Sequence, residues 1–528
     1  MHQQKTFYQT IAGFLAFLAP LIATAQPSQW NSAGIGGGGA LFHSSINPHN
    51  KNEVFISCDM SEMFRTDDFG ESWSVIDFRQ LQGGNVRGNV QFTSDPKILY
   101  TIDSRNDGGT PVKSTDGGDT WTPLADDPTS GEAYGLFADP NNSNVVIVSD
   151  YSHVYYSSNG GQSFVEKYST PSDNGCYLAG AWFDGSNIYI GTNLGMLTSA
   201  NNGQSFAMAQ TPGVLNGEAI VSFVGCKQLG VTRFYCVTLG SGDVYPGVTG
   251  AEFSNFKGVY TRTLTETSWT ARTSAIPDGF RPYFVGAARG NNMTVYLAGG
   301  SDFSIPIVLK TTDAGLTWTN NFKTEGNVNI KTGWSGTEGD RFWTYGEYAL
   351  GFNVCPSDPN YLVITDLGFA HVSSDGGANW KQAYVNSQYQ NPAGQNTPVG
   401  KAYRGNGLEN TTSWWLCWAD SSNIVAGFSD IKGIRTGDAG TTWSIPYNDF
   451  DFNSSYHIIK HPTTGTLYAA TSSVHDIYQS TYLTDARIDG GRGSVIYSTD
   501  RGKTWKILHD FGHPVVWLAI DPNDPNAM

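Results

Sequence analysis

Basic residues are scarce in this sequence. Lys and Arg number 31 against 47 Asp and Glu, leaving a formal net charge of −16, and charged residues of both signs make up only 15% of the chain. An acidic surface repels phosphate backbones and anionic headgroups, so nucleic-acid and membrane-surface partners are not expected. A neutral glycan is indifferent to that charge. Cysteine is also sparse: six residues at 58, 176, 226, 236, 355 and 417, none in C-x-x-C spacing. That pattern gives no zinc site, and no cofactor or catalytic metal is indicated elsewhere. Cys226 and Cys236 lie close enough to close a hairpin disulfide in an oxidising compartment; buried free thiols are the equal alternative. Beyond the first 25 residues no long apolar run occurs, so no membrane span is expected. Those 25 residues read as a signal peptide. Lys5 supplies the positive start, Ile11 to Ile22 a short apolar core, and Ala23-Thr24-Ala25 a small-x-small cleavage site that leaves Gln26 as the mature terminus. No Cys follows the site, so no lipid anchor is expected. The expectation is a soluble protein, secreted or periplasmic.

What the chain does have is glycine and aromatic side chains: 62 Gly, and 13% Phe, Trp and Tyr. Many turn formers, many aromatics and few charges suit an all-β protein with short strands. At 528 residues, two domains are the starting expectation. One pattern recurs: Ser/Thr-x-Asp-x-Gly-x-Thr/Ser-Trp. It appears as Thr66–Trp73, Ser114–Trp121, Thr311–Trp318, Ser373–Trp380, Thr436–Trp443 and Ser498–Trp505, with Asn and Phe variants at Ser157–Phe164 and Ser199–Phe206 and a worn copy ending at Trp269. The Asp or Asn caps a tight turn through backbone N–H groups, the Gly takes a conformation that residues with a Cβ avoid, and the aromatic packs between sheets. The motif resembles the Asp-box of sialidases, sortilin-type receptors and related propellers, a hairpin brace with weak bearing on chemistry. Between boxes lie turn-plus-strand elements such as Asp139-Pro140-Asn141-Asn142 before VVIVSD and Ser357-Asp358-Pro359-Asn360 before YLVITD. Turn, strand, box hairpin and strand make a four-stranded propeller blade.

The box aromatics count the blades. Seven fall before residue 400, enough to close one propeller over residues 26–400, and the turn-rich stretch 384–407 reads as a crossing. Residues 401–528 are expected to begin a second propeller with about two blades. Two blades cannot close a ring, so further blades are expected beyond this sequence. The fold expected is therefore all-β, tandem β-propellers.

A second position keeps register with the boxes, 13 or 14 residues before the aromatic, where a strand ends. Asp59, Asp150, Asp366 and Asp430 occupy it, with Asn193 as an Asn version. This register puts carboxylates on one face. A turn cap is the alternative for each, and spacing alone does not choose among them.

A family resemblance does choose. Gly36-Gly37-Gly38-Gly39, then Ile46-Asn47-Pro48-His49, then Asp59-Met60-Ser61-Glu62-Met63-Phe64-Arg65 resembles the amino-terminal blade of the family 74 glycoside hydrolases, xyloglucanases and related β-1,4-glucanases. Gly407-Leu408-Glu409 followed by Phe428-Ser429-Asp430-Ile431-Lys432-Gly433-Ile434-Arg435 resembles that family's second signature. Ser61-Glu62 stand where the family pattern has Gly-Gly, and Lys432 where it has Gly. The resemblance implies two seven-bladed propellers facing across a cleft, a polysaccharide substrate, and inverting hydrolysis with Asp59 as base and Asp430 as acid. An inverting pair stands roughly 6.5–9.5 Å apart to admit a water. The acid must hold its proton near neutral pH, and Glu62 and Glu409 are candidate sources of the nearby charge this needs. Arg65 and Arg435 close the two signatures as candidate substrate contacts. Sugar rings stack on aromatic faces, so the clusters Trp343, Tyr345 and Tyr348, and Trp414, Trp415 and Trp418, are further candidates; packing in the core is the alternative for each. Two other classes remain. A sortilin-like propeller would bind protein or glycan without catalysis. An exo-sialidase would need three Arg around a carboxylate and an early Arg-Ile-Pro segment, neither of which is evident. Oligomeric state is not readable.

Overall fold

A computed structural model describes residues 31–84, 88–105, 108–209, 217–240, 255–302, 305–334, 348–447, 450–474 and 484–528. The expected signal peptide, and with it the cleavage site, lies outside these residues, as do Trp343 and Tyr345. Among the described residues no helix is long and apolar enough to cross a membrane.

The described residues form nine sheets in chain order, most of them four-stranded and paired neighbour to neighbour; they are antiparallel apart from one short parallel pair, Ile330–Lys331 with Trp380–Gln382, in the seventh. The first runs Leu41–Ile46, Val54–Cys58, Met63–Thr66 and Ser74–Val75. Its second strand, VFISC, is buried at every position, whereas the outermost strand is exposed. A strand covered on both faces by neighbouring sheets needs no polar alternation. Within the first seven sheets, neighbouring sheets share buried clusters, as where Phe55 of the first packs with Phe92 and Leu99 of the second.

The seventh sheet closes against the first. Leu41 N–H donates to Asp366 O at 3.0 Å, Thr365 Oγ1 donates to Phe42 O at 2.9 Å, and the Trp73 indole donates to Ala383 O at 2.7 Å. The blade count read from the boxes is thus realised as a ring of seven. Two sheets follow, built on Ser413–Trp418 and Ser454–Lys460. All nine sheets lie in one compact unit, Ala33–Met528.

Each box is the hairpin before a sheet's last strand, except in the three-stranded eighth sheet, where the box follows the last strand, Gly433–Thr436. In the second sheet Ser114 Oγ donates to Asp116 Oδ1 (2.8 Å), Gly118 N–H donates to Ser114 Oγ (2.8 Å), and Thr120 donates to Asp116 through both its N–H (3.0 Å) and its hydroxyl (2.6 Å). In the worn copy Thr265 stands at the Asp position, its hydroxyl 3.2 Å from that of Thr263, and the next residue, Glu266, accepts from Thr263 N–H, so the hairpin survives a changed sequence. These bonds favour the charged carboxylate. Hydrogen bonds from the Thr317 and Thr311 side chains and from Thr317 N–H bring Asp313 down to about 2. Folded-state values below the unfolded one give stability that is full above about pH 4 and lost as pH falls through about 2. Urea unfolding should therefore show a lower midpoint at pH 2.5 than at pH 7; an unchanged midpoint would remove the boxes from the acid response.

The cysteines resolve in favour of thiols: all six are free and buried. Cys226 pairs across its hairpin with Arg233, and Cys236 with Phe223, so the disulfide option fails on register.

Candidate functional site

Asp59 lies in the turn after Val54–Cys58, and Asp430 in the turn after Ile424–Phe428, the equivalent place in the eighth sheet. In antiparallel sheets the turns joining second to third strands lie on the face opposite the boxes. The two turns share an unusual backbone. Ser61 has φ 77° and Lys432 φ 65°, with Asp430 itself at 63°. These are the two places where the family pattern carries Gly, and the left-handed conformation is the physical reason for that preference. Ser61 has no side-chain hydrogen bond among the described residues, so Ser61→Gly should relieve the backbone. The predicted gain is about 0.5–1 kcal/mol after the cost of a freer unfolded chain, read as a raised urea midpoint; a lowered one would refute it.

The chain brings these turns together. Thr412 Oγ1 donates to Met60 Sδ, beside Asp59, at 3.7 Å, and Thr412 O accepts from Ser429 N–H, beside Asp430, at 3.1 Å. The Gly run lies between them. Asp59 N–H donates to Ala40 O at 3.4 Å, while a Cβ on Gly38 would meet Ile431 at 2.9 Å and Thr411 at 2.6 Å. Trp334, fully buried, fixes the run from below by donating its indole N–H to Gly36 O (2.9 Å). Asp59 is exposed and Asp430 half-buried. Asn453 clamps Asp430: its Nδ2 donates to Asp430 Oδ1 at 3.2 Å, and its Oδ1 accepts from Asp430 N–H at 3.3 Å.

The other carboxylates in this register are turn braces. Asp150 Oδ1 accepts from Ser152 and His153 N–H, and Asp366 Oδ1 from Gly368 and Phe369 N–H, with Asp366 buried. Glu409 is a brace too: it accepts from Gly36 N–H at 2.8 Å and fills the space beside Gly34 and Gly405. Glu62 accepts from Cys58 Sγ at 2.9 Å.

The remaining sequence candidates separate. Arg65 is not brought to the Asp59 turn. It pairs with Glu53 (2.7 Å) and with Asp119 in the second sheet's box (2.8 Å), bracing the first two sheets at their box end. Arg435 bonds Asn423 Oδ1 and Arg501 O, likewise away from the Asp430 turn. Trp414 is brought to it: the indole donates to Ser429 Oγ at 2.9 Å and sits edge-on to Tyr456. Trp415 packs on His457 and Trp517 instead, and Trp418 is 58% exposed on the same strand. Tyr348 is buried against Gly300, as core. Thr412 and Asn453 were not foreseen, because nothing local in the sequence marks either.

Residues 496–506 match the BNR/Asp-box repeat family model. No curated protein matches the sequence. A solved family 74 glycoside hydrolase from Niastella koreensis aligns with 92% of this chain and 68% of its own, at TM-score 0.63 and 17% identity. The chain has the fold of the family 74 glycoside hydrolases. An ancestral family 74 enzyme gives TM-score 0.65 at 17% identity, over 92% of this chain and 64% of its own. The family 74 xyloglucanase of Xanthomonas campestris gives 0.63 at 14%, over 91% and 69%. The chain thus spans about two thirds of the length of these family 74 structures. At such identities the fold is what is shared.

Proposed function

We propose that this protein is a glycoside hydrolase that cleaves a β-1,4-linked glucan such as xyloglucan, by inversion, in a cleft between two propellers. On this reading residues 26–400 make the first propeller, residues 401–528 begin the second, and the chain is exported after cleavage at Ala25. The observation that supports it is the convergence of the Asp59 and Asp430 turns on Thr412. Two carboxylates arriving from different sheets, on the face away from the boxes, can flank one glycosidic bond.

In this mechanism Asp430 gives a proton to the leaving oxygen while Asp59 takes one from the attacking water. Asn453 and Trp414 position the Asp430 turn. Arg65 and Arg435 have no part in substrate binding here, because their partners hold them at the box ends. Full-length protein should release reducing ends from a β-1,4-glucan in a panel of xyloglucan, mixed-linkage glucan and mannan. NMR should show the α-anomer first, since inversion of a β-linkage yields it. Release of the β-anomer first would reject inversion. No release from any β-glucan by folded protein would reject the hydrolase.

A further inference from the structure

The inner strands of six of the first seven sheets end at a single cavity of about 350 Å³, on the box face of the ring. It is the mouth of the central channel, on the face opposite the Asp59 turn. Its lining is mixed. Asn89, Gln91, Asn353 and Arg289 supply polar groups, and Phe137 and Phe183 supply apolar faces.

The polar groups are held ready. Asn89 Oδ1 accepts from Ser45 Oγ at 2.8 Å, and Asn353 Oδ1 accepts from Ile46 N–H at 3.3 Å. Each carboxamide is thereby fixed by its oxygen, and its NH2 group has no protein partner among the described residues. The Gln91 carboxamide has none at all among them. Arg289 lies over the Trp182 ring at 4.5 Å and donates to Phe183 O at 3.3 Å. Asp139 and Asp184 are its acidic neighbours, the second shared with Lys227 at 2.8 Å. The guanidinium is therefore offset by carboxylates, and the cavity offers no net positive field to an anion. Unpaired amide donors beside flat apolar faces suit hydroxyl groups on a ring with an apolar side, and the volume lies at the small end of ligand sites.

We propose that this channel mouth binds a neutral mono- or disaccharide, at a site separate from the Asp59 and Asp430 turns. The inference does not depend on the cleavage reading, since it concerns the other face. Cellobiose and glucose are titrated calorimetrically into full-length protein carrying Asp59→Asn, where turnover is not expected, and into the same protein with Gln91→Ala or Gln91→Trp added. Gln91→Ala should weaken one binding event by about threefold to tenfold, the effect of one or two hydrogen bonds. Gln91→Trp should abolish that event by filling the cavity. Neither should alter glucan cleavage when placed alone in the native chain. The proposal fails if neither sugar binds, or if the affinity of every binding event is unchanged in the Gln91→Ala protein. Tighter binding of glucuronate than of glucose would assign Arg289 a carboxylate and overturn the neutral-sugar assignment. Should the Trp variant not fold, the Ala variant alone decides, because the Gln91 side chain makes no hydrogen bond among the described residues and its backbone pairing with Tyr100 is kept.

Discussion

Asp59→Asn and Asp430→Asn are each expected to lower kcat on a β-1,4-glucan by about 10²–10⁴-fold, the usual range for removing a general acid or base. KM should stay within a few-fold. Asn has the size of Asp, and at position 430 it can keep a hydrogen bond to Asn453, so folding should be preserved while proton transfer is lost. Asp150→Asn and Asp366→Asn are the controls, since these carboxylates accept from backbone N–H groups within their own turns. They should shift stability and leave kcat nearly unchanged. Asn453→Ala tests positioning: it should lower kcat less than Asp430→Asn does and leave substrate affinity alone. Full activity in both the Asp59→Asn and Asp430→Asn proteins would move the chemistry elsewhere.

The second large effect is structural. Gly36→Ala should destabilise the chain by about 3 kcal/mol or more. A Cβ there would lie 1.7 Å from Tyr384 O at a φ of 76°. Left-handed strain costs roughly 1–2 kcal/mol, and overpacking typically adds 1–3. Relief is blocked because Tyr384 is itself buried and donates its hydroxyl to Trp334 O at 2.8 Å. Gly394 is the matched control: its φ is also 76°, but nothing lies within 4 Å of an added Cβ. Gly394→Ala should cost only the strain, about 1–2 kcal/mol. Equal urea midpoints for the two variants would show that the seam around Gly36 can give way. Because the Gly run also separates the two acidic turns, activity should fall with stability in the Gly36 variant.

The ring of seven was legible because an Asp-box is local. Ser114, Asp116, Gly118 and Thr120 complete their bonds within one short segment, so the pattern survives in the letters. The Asp59 and Asp430 turns were legible as register, and Ser61 and Lys432 as departures, although only the backbone explains why Gly is preferred there. What was not legible depends on distant partners. Thr412 meets Met60 across 352 positions, and Asn453 meets Asp430 across 23. Arg65 looked like a cleft residue until Asp119 of the next sheet claimed it. The disulfide question turned on the hairpin tip. Leu229 and Gly230 both have positive φ and make a two-residue turn, which places Cys226 opposite Arg233 and away from Cys236.

The Gly36 to Glu409 contact spans 373 positions. During synthesis the opening sheet emerges first, yet the residues that seat its glycine segment are made on the order of half a minute later at ordinary elongation rates. For most of that time the nascent first ring lacks its closing sheet, which ends at Gln382, and until its end the ring lacks the strap that holds its entrance. The two acidic turns are consequently seated together only after a whole ring has been made, and whatever guards the growing chain must guard that unsealed edge.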